Sequence, residues 1–257
     1  MVLLSFREAY LYAEDVQLLN DGMWINEACI NFIWRCLEVE YENTGISLDI
    51  RSFVFFMDPT VVSYLRFQIE PEEYSDFINS NLIFEKRWIF IPVNNAQHLL
   101  ESGSHWSLLV YDIRRNVAVH IDSMKKNNLY AAQSVVSALS KVLVGKISTS
   151  IRLINVSHEY CPQQKDGYNC GIYMILAADI IARQAMHEMP TYSAPISGVE
   201  PSVACSLTAY EGGDSSWLQH MRKNITPASA SSFRGTIRAE VKARLAAEAG
   251  KSADSVI

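Results

Sequence analysis

Three apolar runs of strand length crowd into the middle of the chain: Trp88-Ile89-Phe90-Ile91-Pro92-Val93, Trp106-Ser107-Leu108-Leu109-Val110-Tyr111 and Val117-Ala118-Val119-His120-Ile121. Each favours β structure in composition, and a turn around residues 113–115 lets the last two pair as a hairpin. A sheet is therefore expected at the centre. Helical spacing lies on both sides of it. Trp24, Ala28, Phe32 and Cys36 recur at steps of four, residues 127–144 keep a helical period, and an apolar helix is expected from Cys170 towards His187. A further strand is expected over residues 151–156, and helical spacing resumes over 234–247. Residues 44–86 read as short helices and loops. Strands and helices mix without a βαβ rhythm, so the fold class is α+β.

The 257 residues, 49% of them hydrophobic and 19% charged, lie well within the range of chains that bury a large core. One domain over residues 1–257 is expected, with a surface insertion at about 190–216, where prolines, glycines and serines accumulate. A formal charge of −6 argues against a nucleic-acid footprint. The N-terminus shows no sustained signal-peptide core, and no run approaches the roughly 20 apolar residues of a membrane span. The five cysteines form no CxxC or zinc-like grouping, so they are expected to be reduced thiols, with no metal or cofactor. A cytoplasmic or nuclear location follows.

Cys170 is the cysteine placed for chemistry. A loop, Gln163 to Asn169, gives way there to the apolar helix, and a helix N-terminus favours a thiolate. Gly171 leaves room for a close backbone approach. Cys29 and Cys36 read as small buried hydrophobes, Cys205 as incidental, and Cys161 as a weaker alternative nucleophile or redox partner. His105 opens a strand after a turn and is the preferred base, with His120 a rival. If residues 105–111 and 117–121 form a hairpin, His105 faces residues 122–125, which makes Asp122 its orienting acid ahead of Asp112 and Asp166. An oxyanion needs donors, and Gln164, six positions before the nucleophile, is chosen to act with the Cys170 N–H; Gln163 is hard to separate from it by spacing.

The ordered set His105-Trp106, Asp122 and Pro162-Gln163-Gln164-Lys165-Asp166-Gly167-Tyr168-Asn169-Cys170-Gly171 resembles the ubiquitin-like-protein-specific cysteine proteases, the family of desumoylases and deneddylases. The resemblance implies a papain-like fold, a central mixed sheet flanked by helices. It implies His105 as base, Asp122 as orienting acid, Gln164 as oxyanion donor and Cys170 as nucleophile, acting after the C-terminal Gly-Gly of a modifier. Trp24 and Trp106 match the aromatic walls of the tail channel. The segment Trp24-Ile25-Asn26-Glu27 matches a pattern whose acid, here Glu27, contacts a basic tail residue, and Asn26 and Gly171 join the substrate-binding set. Asn169 stands where Asp is common.

Leu18 to Trp24 and the strand 107–111 look most like a deneddylase. The implied partners are the Nedd-type modifier and its conjugates, neddylated cullins among them, with the enzyme a monomer. A desumoylase, an acetyltransferase of related fold and an inactive modifier-binding module are the alternatives.

Overall fold

The computed structural model describes residues 2–43, 53–125, 127–147, 150–187 and 216–254. A five-stranded sheet runs through the centre in the order β3-β4-β5-β6-β7, comprising Val54–Phe56, Trp88–Asn94, Trp106–Asp112, Val117–Ile121 and Arg152–Asn155. β4, β5 and β6 are antiparallel neighbours, while β3 and β7 lie parallel to their partners. Parallel neighbours need a long crossover. The helix α5, Leu129–Val142, supplies it between β6 and β7, and α3, Pro59–Phe67, with α4, Tyr74–Ser80, supplies it between β3 and β4.

Alternation along the strands divides the core in two. Trp88, Phe90, Leu108, Val110 and Val119 face a layer made by α2, Glu27–Glu42, α6, Cys170–His187, and α8, Pro227–Asp254. Ile89, Ile91, Leu109, Tyr111 and Ala118 face the layer of α3, α4 and α5. The three central strands are buried on both faces, which is why they read as continuous apolar runs and not as alternating ones. Each such Ile, Leu or Phe side chain contributes roughly 1.5–3 kcal/mol over an exposed one.

The expected α+β sandwich is present, and the strand over 117–121 and the helix over 170–187 coincide with their sequence boundaries. The N-terminal hairpin, the short helix after it and β3 were not foreseen. Residues 2–12 form a hairpin, β1 Val2–Phe6 with β2 Ala9–Tyr12, followed by the short helix α1, Ala13–Leu18. Its two-residue turn places Arg7 and Glu8 at φ 46° and 66°, the left-handed pair of a type I′ turn without the usual Asn or Gly. β3 is only three residues long, too short to show a period. Trp24 and Ile25 precede α2 and do not belong to it. The expected insertion lies, apart from Ser216 at the start of α7 (Ser216–Asn224), outside the described residues, as does Cys205. No helix among the described residues is long and apolar enough to cross a membrane.

Candidate active site

The open end of the β5–β6 hairpin meets the N-terminus of α6. Leu108 pairs with Ile121 and Asp112 with Val117, and the same register carried beyond β5 sets His105 opposite Met124, so that Asp122 lies at the same end of the hairpin, two residues away. His105 Nε2 lies 2.7 Å from Asp122 Oδ1, with both residues buried. The carboxylate also accepts from the backbone N–H groups of Met124 and Asn128, each at 2.9 Å. Burial alone would raise its pKa, but the bond to His105 and these two amides hold it below the usual value. The other imidazole nitrogen, Nδ1, has no hydrogen-bonded partner and is left for Cys170, whose side chain adjoins the ring. Hydrogen bonds of this kind often tighten only with substrate bound. Burial works against a charged imidazole, yet the Asp122 bond and Cys170 together raise the pKa of His105 to about 9. The raised value favours the protonated ring that the leaving amine needs.

Cys170 is the first residue of α6, so its N–H belongs to the group without intrahelical acceptors, at the positive end of the helix. The preceding loop is bound tightly to the acid strand. Gln163 donates to the Asp122 carbonyl at 3.0 Å and accepts from Lys125 N, so both ends of its amide are engaged in joining the two loops. Gln164 differs. Its Oε1 accepts from Ser123 Oγ at 2.6 Å and its Nε2 donates to the Asp166 carbonyl at 2.8 Å, which leaves the second Nε2 hydrogen available. Gln163 likewise keeps a second Nε2 hydrogen, so the two neighbours differ in what they hold: Gln163 the Asp122 end, Gln164 the Asp166 turn before Cys170.

The walls beside this centre come from the segment before α2. Trp24 is half exposed, and its Nε1 donates to the Gly167 carbonyl across the cleft. Trp106 is buried and donates to the Ile25 carbonyl at 3.0 Å. Gly171 has a different reason from the expected one: a Cβ there would stand 2.6 Å from Ile25 Cγ1 and 3.4 Å from Trp106 Cδ1, so the space is filled by the protein's own wall. Asn26 caps α2. Its Oδ1 accepts from Cys29 N at 3.0 Å and its Nδ2 donates to Asp15 at 2.7 Å, so it fixes the direction of the Trp24 segment and turns its amide inward. Glu27 stands exposed in the first turn of α2, a favourable place for an acid.

The rivals are placed elsewhere or engaged. His120 is buried with its two nitrogens on Asn155 at 2.7 Å and Ser107 at 2.9 Å, and burial lowers its pKa. Asp112 pairs with Arg87 at 2.8 Å at the far end of the hairpin. Asp166 accepts from Tyr168 N and Asn169 N as a turn residue. Burial pushes the Cys29, Cys36 and Cys161 thiols up to about 12, which leaves them inert. Several supporting residues escaped sequence reasoning. Asn128 donates to the carbonyls of Val93 and His105, Asn95 Oδ1 accepts from His105 N, and Arg234 reaches in from α8. No spacing signal marks them, because each acts across distant segments. Among the described residues, no group of three or more His, Cys, Asp or Glu is arranged to hold a metal.

Residues 23–198 match the Ulp1 protease family, C-terminal catalytic domain. Sentrin-specific protease 8 of Rattus norvegicus is 29% identical over 189 residues, which cover 74% of this chain and 83% of that protein. NEDD8-specific protease 1 of Arabidopsis thaliana is 28% identical over 184 residues, 70% of this chain and 74% of that protein. The crystal structure of a de-sumoylating protease superposes with a TM-score of 0.67, covering 96% of this chain and 90% of that one, at 14% identity; this is a likeness of fold.

Proposed function

The chain belongs to the Ulp1 protease family, and from that membership we propose that it is a thiol protease cleaving after the C-terminal Gly-Gly of a ubiquitin-like modifier, the Nedd-type modifier first. The observation that carries the reading is His105, bonded to Asp122 at 2.7 Å on one side and bordered by Cys170 at the start of α6 on the other. The relative named for NEDD8 supports the choice of modifier.

In this reading Cys170 passes its proton to His105. The thiolate attacks the carbonyl of the terminal glycine, and the oxyanion is met by the Cys170 N–H and the free Nε2 hydrogen of Gln164. His105 then gives its proton to the leaving amine, a lysine ε-amine of a conjugate or the α-amine of a precursor extension. Asp122 keeps the ring oriented throughout. Water, deprotonated by His105, opens the thioester and releases the modifier carboxylate. Trp24 and Trp106 hold the glycine tail, and Glu27 receives a basic tail residue.

Conjugates, neddylated cullins among them, are the proposed partners. The enzyme acts as a monomer in the cytoplasm or nucleus, where a thiolate nucleophile stays reduced. The test is cleavage of C-terminal fusions to the Nedd-type modifier, the Sumo modifier and ubiquitin. Cleavage of the first ahead of the others supports the reading; preference for the Sumo fusion overturns the choice of modifier, and no cleavage of any fusion overturns the protease assignment.

A further inference from the structure

A single hydrogen-bonded chain links the C-terminal helix to the oxyanion site. Arg234 of α8 is fully buried, and among the described residues it hydrogen-bonds to backbone carbonyls and one side-chain amide. Its Nη1 donates to the carbonyls of Leu18 and Asn20 and its Nη2 to those of Met23 and Tyr168, at 2.6 to 3.4 Å. Its Nε donates to Asn169 Oδ1 at 2.8 Å. Asn169 is itself buried, and its Nδ2 donates to Asp166 Oδ2 at 3.0 Å. The Asp166 carbonyl accepts Gln164 Nε2, and Ser123 Oγ holds the other end of the same amide.

The chemistry of residue 169 is narrow. It must accept from a guanidinium and donate to a carboxylate at once, which an amide does and a carboxylate cannot. Aspartate there would keep the Arg234 bond but turn a second acceptor onto Asp166, two like charges at hydrogen-bond distance. A lysine at 234 would lack the planar fork that meets five acceptors.

We propose that Asn169 and Arg234 are positioning residues: they fix the Asp166 turn, and through it the orientation of the Gln164 amide, so that α8 helps build the oxyanion site. This rests on the proposed reading of Gln164 as oxyanion donor. Neither residue touches the reacting atoms, and both act through Gln164.

The test uses the full chain and a fluorogenic amide at the C-terminus of the Nedd-type modifier, with a thermal melt for each variant. Asn169→Asp is expected to lower kcat at least about tenfold, part of what a lost oxyanion donor costs, with KM within about twofold. The reciprocal pair Asp166→Asn with Asn169→Asp keeps the charge count and restores one donor between the two side chains, so kcat is expected to return to within about threefold of wild type. In a Gln164→Ala background Asn169→Asp is expected to cost nothing further, and Arg234→Lys is expected to follow the same pattern if Asn169→Asp fails to fold. A wild-type kcat in Asn169→Asp, no rescue by the reciprocal pair, or an equal loss in the Gln164→Ala background would overturn the relay. A wild-type protein that releases no fluorophore would instead overturn the protease reading beneath it.

Discussion

His105 shows how one side chain is set for two steps. Its pKa near 9 means that cleavage should hold across neutral pH and fall as the pH passes about 9, where the ring loses the proton owed to the leaving amine. The stability effect has the same direction. Because folding raises this pKa from 6.5, the charged pair stabilises the protein fully below about pH 6.5, and that contribution is lost as pH rises through about 9. Replacing Cys170 by Ser removes one of the groups that raise the value, so the His105 ring should titrate below 9 by NMR in that variant; an unchanged midpoint would show that Asp122 alone sets it. Gly171 offers a steric counterpart. Gly171→Ala should destabilise by about 1–3 kcal/mol through overpacking, and Ile25→Ala in the same chain should recover part of the loss in a urea titration. No recovery would place the strain somewhere other than the Ile25 contact.

At the scale of elements, the hairpin β5–β6 carries the site at one end and a structural ion pair at the other. Arg87 and Asp112 are buried and 2.8 Å apart, and removing Asp112 takes from the buried guanidinium the carboxylate it meets. Asp112→Ala should therefore cost about 3–5 kcal/mol in denaturant while the folded fraction keeps its kcat. A matching loss of kcat would mean that the hairpin transmits the change to His105. This hairpin was legible because its strands are continuous apolar runs with a short turn between them, and that pairing alone carries His105 and Asp122 to the same end. The β1–β2 hairpin was not legible. Arg7-Glu8 adopts a type I′ turn without its usual residues, and β3 pairs over only three positions, so neither leaves a local pattern.

Across the whole molecule, the cleft joins three stretches far apart in sequence: the segment before α2, the loop before α6, and α8. The first two were visible in the sequence because tryptophans, glutamines and a Cys-Gly pair mark them. Arg234 was not, since an arginine in an amphipathic helix normally faces solvent, and only the tertiary fold shows it closing on Met23 and Tyr168. Asn26 and Gly171 show the opposite case. Both were expected to serve substrate, and the structure turns Asn26 to a helix cap and fills the space at Gly171 with Ile25. The claim on which everything else depends is that Cys170 is the nucleophile attacking the end of a modifier tail. Incubating the protein with a Nedd-type modifier bearing an electrophilic C-terminus, and weighing the product by intact-mass spectrometry, tests it directly. Wild type should gain one modifier and Cys170→Ala none; a Cys170→Ala protein labelled as fully as wild type would contradict the account.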